Sequence, residues 1–451
     1  MSSKNESNIY KMYDIRGIYP SQINEENAYK IGRAFVSYLN CKYVAVAKDM
    51  RSSSDDLFSA LTKGITDQGA DVIDVGLCST PMFYFACAEY ESGIMVTASH
   101  NPKEYNGFKL CRERAIPLSG ESGIDKIKIL VEKNTFIDPK IKGKITKKDI
   151  VKSYVEHNLS FFKCNKKLRI VADAGNGMAG YIFPKVFSNI KNIEVVPMYF
   201  DLDSSFPNHE ANPLKLENVA SLQKRVIEEK ADLGVAYDGD ADRAMFIDEK
   251  GRYISADFST ALLGLSILKM HKKCHMLTDL RSSKVVSQVW EENGATTNLS
   301  RVGHALIKMQ MIKENAIFAG ELSGHYYFLN ELKNVKYYGE DTILATILML
   351  NLLDSTGKKM SELVDPLRKY YQSGEINFTV NDKDNMIDML KKEFSDGKAF
   401  FLDGLSIDYN DWWFNVRPSN TENLLRLNLE ANSKELLEIK LKKITDMIKK
   451  G

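Results

Sequence analysis

Three stretches of this chain repeat one pattern at domain-sized spacing. KYVAVAKDMRSSSDDLFSALTKGITDQGADVIDVG starts near residue 42, KLRIVADAGNGMAGYIFPKVFSNIKNIEVVPMYFD near 167, and HMLTDLRSSKVVSQVWEENGATTNLSRVG near 275. Each opens with a short β-branched strand ending on an aspartate: Asp49, Asp173 or Asp279. A polar turn, a helix-period segment and a second strand follow. Such units build α/β domains with helices packed on a sheet. The shared Asp-x-Arg-Ser-Ser at Asp49 to Ser53 and Asp279 to Ser283 reads most simply as helix N-capping. The end of the chain differs. DWWFNVRPSNTENLLRLNLEA reads as strand, polar loop, strand, and SKELLEIKLKKITDMIKK as a closing amphipathic helix. The expected architecture is therefore three repeated α/β domains, at about 1–145, 146–250 and 251–368, and a smaller α+β domain at about 369–451. The basic stretch 139–149 is a candidate linker.

Composition narrows the class. With 61 basic and 60 acidic residues the net charge is +1, which argues against a general nucleic-acid or membrane-surface binder. The apolar runs near 261–268 and 342–353 are too short to span a bilayer and read as core helices. The polar start MSSKNESNIYK has no signal-peptide pattern. The six cysteines carry no C-x-x-C, which suits a reducing compartment, so a cytoplasmic location is expected.

Four clusters suggest chemistry. In MVTASHNP an apolar strand runs into Ser99 and is closed by Pro102, so Ser99 sits where the chain leaves a sheet; a plain polar turn is the simpler reading of this piece alone. In YDGDADR, Asp238, Asp240 and Asp242 alternate, which puts three carboxylates on one side of an extended segment. A hard cation such as Mg²⁺ would relieve their repulsion. Asp238, Asp240, Asp242 and Glu249 also fall at calcium-loop positions, but Arg243 stands where that loop needs glycine. RPSNTENLLRL sets Ser419, Asn420 and Thr421 between Arg417 and Arg426, which is either an oxyanion receptor or a solvated hairpin tip. GELSGH alternates Glu321, Ser323 and His325, groups suited to sugar hydroxyls or to an ordinary polar loop; His304 follows a glycine in RVGH.

Together these pieces resemble the α-D-phosphohexomutase family, in its phosphomannomutase/phosphoglucomutase branch. The match rests on Tyr13 to Gly17, Thr97 to Pro102, Asn106 to Lys109, Asp238 to Arg243, Gly320 to His325 and Arg417 to Glu422, in the family's order along nearly the whole chain. The resemblance implies four domains in a heart shape around a central cleft. It makes Ser99 the serine that carries a phosphoryl group and an oxygen ligand of Mg²⁺ beside Asp238, Asp240 and Asp242. It makes Lys109 and His304 general acid or base, with Arg16, Arg243 and His100 near the transferring group. Tyr13, Arg281, Glu321, Ser323 and His325 would meet the sugar. Arg417, Ser419, Asn420, Thr421 and Arg426 would hold the other phosphate. The implied substrate is a hexose phosphate, mannose first and glucose also, passing through a hexose 1,6-bisphosphate that doubles as activator. The enzyme would be a monomer or weak dimer.

Three positions depart from the family pattern. Ala241 stands where glycine is usual, Asn423 replaces a proline, and Arg281 replaces a lysine. Phosphoglucosamine mutase is the nearest rival, disfavoured by Phe108 and Asn420. A serine hydrolase using Ser99 and His100, or a calcium-binding module, are the rivals of another class. Adjacent residues rarely align as nucleophile and base, and no G-x-S-x-G elbow is present.

Overall fold

A computed structural model describes residues 9–418 and 424–450. In the first three domains, the opening strand of each repeat lies inside its sheet, with a parallel neighbour on either side. Tyr43–Lys48, Leu168–Asp173 and His275–Asp279 each pair in parallel with the next strand of their repeat: Asp71–Leu77, Ile193–Met198 and Thr296–Ser300. On the other side each pairs in parallel with a third strand: Ser92–Val96, Leu233–Tyr237 or Phe318–Gly320. A fourth strand then returns antiparallel: Tyr105–Arg112, Ala244–Asp248 or Tyr326–Leu332. The three sheets are mixed and share this order.

The first sheet is extended by Ile15–Ile18 and, at its far edge, by Ile145–Lys147, on which the expected first boundary falls. Tyr253–Ile254 adds an edge to the second sheet, just past the expected second boundary. The fourth domain is a wholly antiparallel sheet in the order Tyr371–Gln372, Leu424–Ala431, Trp412–Pro418, Leu405–Asp408, Lys398–Phe401, with Ile376–Thr379 also against Leu424–Ala431. Helices Lys383–Glu393 and Lys434–Lys450 complete it.

The apolar segments behave as patterned. Ala256–Met270 and Thr342–Thr356 are helices buried on nearly every face, and no described helix is long and apolar enough to cross a membrane. One continuous core joins the first three domains. The fourth has a core of its own, built on Phe414, Val416, Leu425, Leu427 and Ile444. Side-chain contacts tie it to the third domain, including Gln372 to Asp257 and Lys284 to Asp408.

The repeated aspartates do local work that capping does not describe. Asp49, Asp173 and Asp279 each accept from the backbone N–H two residues on, at Arg51, Gly175 and Arg281. This turn bends the chain out of the strand. Ser53 makes no capping hydrogen bond, whereas Ser283 caps its helix through Val285 N. The capping expectation is thus corrected in the first repeat: Asp49 instead receives Arg51 and the Ser54 hydroxyl.

Candidate active site

The shared sheet order has one consequence that the repeats alone do not reveal. In each of the first three domains the connection from third to fourth strand lies at the same end of the sheet. Those connections are the Ser99 turn, the Asp238–Arg243 loop and the Glu321–His325 loop. Three copies of one hairpin therefore converge. Ser99 Oγ donates to Asp238 Oδ2 at 3.0 Å, and His325 Nε2 lies 3.3 Å from Asp242 Oδ1.

Ser99 adopts φ +52°, and its backbone is fixed from behind. The Arg51 guanidinium donates to the carbonyls of Ser99 (2.9 Å), Asn101 (2.6 Å), Pro102 (2.8 Å) and Tyr105 (2.9 Å). Thr97 Oγ1 accepts from Ser99 N at 2.9 Å. Gly239 lets the second loop approach, since a Cβ there would lie 2.5 Å from the Ser99 carbonyl oxygen. His100 Nδ1 lies 3.2 Å from Ser99 Oγ, where the left-handed turn at Ser99 brings the two neighbours together. Arg243, then burial and Arg16, push His100 far below the ordinary histidine range, so its ring is neutral.

Asp238, Asp240 and Asp242 are fully buried, with an oxygen from each within 4.8 Å of the others. Asp238 Oδ1 accepts from the N–H groups of Asp242 and Arg243. Asp240 Oδ2 accepts from Thr80 Oγ1, Asp242 Oδ1 meets the His325 ring at 3.3 Å, and Asp240 Oδ1 has no hydrogen-bond partner among the described residues. Burial, then Asp242 and Asp240, push Asp238 well above the usual carboxylate range. Three buried carboxylates in contact, one with an orphan oxygen, fit a hard divalent cation. Glu249 takes no part; it accepts from Ser361 N and Oγ, and strands rather than helices flank the loop. The calcium-loop alternative is set aside on both counts. Ala241 sits at φ +60°, the left-handed conformation that its departure from glycine raised as a question.

A cleft of about 530 Å³ opens over these groups, lined from all four domains. Tyr13, Arg16, Ser99 and Lys109 come from the first, Arg243 from the second, Arg281, His304, Glu321, Ser323 and His325 from the third, and Arg417 and Arg426 from the fourth. Lys109 Nζ donates to Asp242 Oδ2 at 2.7 Å; burial opposes its charge, but Asp242 and Asp240 prevail and raise it. Burial, with Lys109 and Lys308 nearby, pushes His304 well below its ordinary value. Lys109 is thus a cation and His304 neutral. Tyr13 packs edge-on against the His304 ring, and its hydroxyl donates to the Val302 carbonyl. Arg16 is braced by Asn101 and by an ion pair with Asp14.

Glu321 accepts from Tyr327 OH at 2.7 Å and lies 3.3 Å from Arg281. Ser323 Oγ is 2.7 Å from His325 Nδ1. Burial opposes protonation of His325, but Asp242 and Glu321 raise it to about 9. His325 therefore bridges the Glu321–His325 loop and the aspartate loop, a contact beyond the hydroxyl binding expected of it. Ser419, Asn420 and Thr421 lie outside the described residues. Phe108 is wholly buried in the first domain's core, so it does not itself read a sugar. Arg301, Lys11 and Asp403 also line the cleft and were not expected; only the R-x-G-H spacing before His304 offered a signal for Arg301.

Comparison with known proteins agrees with this geometry. Four family profiles match in order: phosphoglucomutase/phosphomannomutase alpha/beta/alpha domains I, II and III over residues 7–138, 152–251 and 255–370, and the C-terminal domain over 375–446. A phosphomannomutase of Vibrio cholerae is 36% identical, with 99% of each chain covered. One of Methanocaldococcus jannaschii is 37% identical, with 98% of each covered. A crystal structure of a phosphoglucomutase/phosphomannomutase family protein from Burkholderia thailandensis superposes with a TM-score of 0.89 at 30% identity, over 99% of this chain and 97% of that one. Fold and site together define a phosphohexomutase, an enzyme of the isomerase class. Within that class the chain belongs to the phosphoglucomutase/phosphomannomutase family.

Proposed function

We propose that this enzyme interconverts hexose 6-phosphate and hexose 1-phosphate through phospho-Ser99, with mannose phosphate as first substrate and glucose phosphate as second. The observation that carries the proposal is the 3.0 Å contact of Ser99 Oγ with a cluster of three buried carboxylates, in which Asp240 Oδ1 has no hydrogen-bond partner among the described residues. Asp238, Asp240, Asp242 and an oxygen on Ser99 would hold Mg²⁺. The ion would supply charge neutralisation for the phosphoryl group in transfer.

The remaining steps belong to the chain's own residues. The sugar's free hydroxyl attacks the phosphorus of phospho-Ser99. The bond to Ser99 Oγ breaks, and a hexose 1,6-bisphosphate forms. Neutral His304 takes the hydroxyl proton, and the Lys109 ammonium stabilises charge on the departing Oγ. Arg16 and Arg243 flank the phosphoryl oxygens, and neutral His100 packs beside Oγ without adding a charge. Glu321, Ser323, His325, Tyr13 and Arg281 orient the sugar. Arg417 and Arg426, with the loop Ser419 to Thr421, hold the phosphate that is not reacting. The bisphosphate then turns, and Ser99 recovers the other phosphoryl group. A bisphosphate that escapes leaves the enzyme unphosphorylated, so added hexose 1,6-bisphosphate acts as activator. The six free cysteines suit a cytoplasmic setting.

The test compares kcat/KM for mannose 1-phosphate, glucose 1-phosphate and glucosamine 1-phosphate, with and without EDTA. The proposal expects both hexose phosphates to turn over, mannose faster, with activity lost in EDTA. A preference for glucosamine 1-phosphate would move the assignment to the amino-sugar branch.

A further inference from the structure

The two arginines at the fourth domain's mouth should not tolerate each other. Arg417 and Arg426 are direct partners across adjacent antiparallel strands, so their side chains leave one face of the sheet at neighbouring positions. Like charges so placed repel. Arg281 of the third domain joins them, giving three guanidiniums at one end of the cleft.

Asp279 and Glu321 pair with Arg281, and Asp403 Oδ2 lies 3.8 Å from Arg417 Nη1, but one carboxylate reaches all three. Glu375 follows Gly374, in the short connection between Tyr371–Gln372 and Ile376–Thr379. Both of those strands pair with the strand that carries Arg426. Glu375 Oε2 accepts from Arg417 Nη2 at 2.8 Å and lies 3.7 Å from Arg281 Nη1; Glu375 Oε1 lies 3.7 Å from Arg426 Nη1. Burial opposes its charge, but Arg417, Arg281 and Arg426 hold it below the usual carboxylate range, so it is an anion at neutral pH. The fit is incomplete. Two of the three contacts are beyond hydrogen-bond length, and Arg417 Nε and Arg426 Nε have no partner among the described residues. A carboxylate brings one charge and two oxygens. A phosphate ester brings about two charges at neutral pH and three terminal oxygens, enough to take the donors Glu375 leaves open.

We propose that Glu375 is an internal competitor for the phosphate subsite: its carboxylate sits among Arg281, Arg417 and Arg426 until a dianionic phosphate ester displaces it, and it thereby excludes monoanionic esters that cannot outbid it. The inference rests on reading this arginine cluster as the grip on the non-reacting phosphate. Glu375 is the one of these carboxylates that reaches Arg281, Arg417 and Arg426 together, so it sets the charge an incoming anion must exceed there.

The test uses a hexose 6-sulfate, a monoanionic ester of similar shape, as competitive inhibitor against mannose 1-phosphate. It is run on the wild type, Glu375→Gln, Glu375→Asp and Arg417→Ala. In Glu375→Gln the sulfate ester should bind about 10-fold tighter, the scale of one charge-assisted hydrogen bond. KM for the phosphate ester should fall by less, so the selectivity between the esters narrows. Glu375→Asp, with its carboxylate drawn back, should fall between the two and shows that the effect follows the charge rather than a loss of folding. A raised KM, or an unchanged sulfate affinity, in Glu375→Gln would overturn the proposal. If Arg417→Ala left both esters unaffected, the subsite reading itself would fail, and this proposal with it.

Discussion

Replacing Arg51 by lysine isolates how the serine turn is held. Arg51 does not line the cleft, yet its guanidinium satisfies four carbonyls of the segment that carries Ser99, at 2.6–2.9 Å. A lysine ammonium is a point charge with three donors and cannot span that fork. Carbonyls of the turn then lose their partner, at about 1–3 kcal/mol for a buried one such as that of Ser99. Ser99 is meanwhile held at φ +52°. That left-handed conformation costs a non-glycine residue about 1–2 kcal/mol, so the released turn relaxes away from it. A displacement of about 1 Å at a reacting atom lowers the rate about 100-fold. Glu321, His325 and Arg417, proposed to hold sugar and phosphate, lie on other domains and stay in place. Arg51→Lys should therefore lose about two orders of magnitude in kcat, with KM changed little. Steady-state kinetics with mannose 1-phosphate gives both numbers, and a thermal melt confirms the fold. A kcat within a few-fold of wild type, or a defect carried mainly by KM, would refute the reasoning.

Asp240→Asn removes a charge and keeps the acceptor for Thr80 Oγ1. Mg²⁺ affinity, read by calorimetry and by activation curves, should drop at least about 10-fold, while the metal-free variant melts at or above the wild type because carboxylate repulsion is relieved. Gly303→Ala should impair activity without unfolding the protein: Gly303 has φ +118°, and a Cβ there would lie 2.6 Å from the Tyr13 ring, forcing Tyr13 off His304. A wild-type kcat/KM would count against that packing. Asp257, buried where the third and fourth domains meet, is raised from 3.8 to about 7 by burial, which outweighs its hydrogen bonds from Gln372 and the Ser283 backbone. The folded state thus holds a proton that the unfolded chain gives up between those values, so this contribution is complete below pH 3.8 and is lost as pH rises through about 7. At about 1.36 kcal/mol per pH unit the ceiling is about 4 kcal/mol. Asp257→Asn should therefore gain stability over wild type at pH 8 and little at pH 4, as measured by urea denaturation; an equal effect at both would sink the assignment.

How much of this was legible in the chain depends on sequence distance. Asp238, Asp240 and Asp242 lie within five residues, and Ser99 is framed by a strand and Pro102, so local pattern sufficed to single them out. The repeats were visible because each carries its own strand, aspartate and helix. What they do not display is the equivalence of the three hairpins, since the third and fourth strands have unlike sequences and only their pairing shows it. Arg51 shows the same limit. Its partners lie about fifty residues away, and Asp-x-Arg-Ser-Ser is equally good capping chemistry until the fold brings the Ser99 turn over it. Glu375 stands alone in a turn, with nothing beside it to mark three arginines from two domains. The contact of His100 with Ser99 follows from a backbone conformation that no residue type there demands.

The central claim is that Ser99 carries the phosphoryl group in each turnover. The direct measurement is to load the enzyme with isotopically labelled hexose 1,6-bisphosphate, map the label by peptide, and chase it with unlabelled mannose 1-phosphate in a single turnover. The account predicts label on the peptide containing Ser99, its transfer to hexose phosphate at a rate no slower than kcat, and no labelling of Ser99→Ala. Label on another residue, label that does not chase, or full turnover by Ser99→Ala would contradict it.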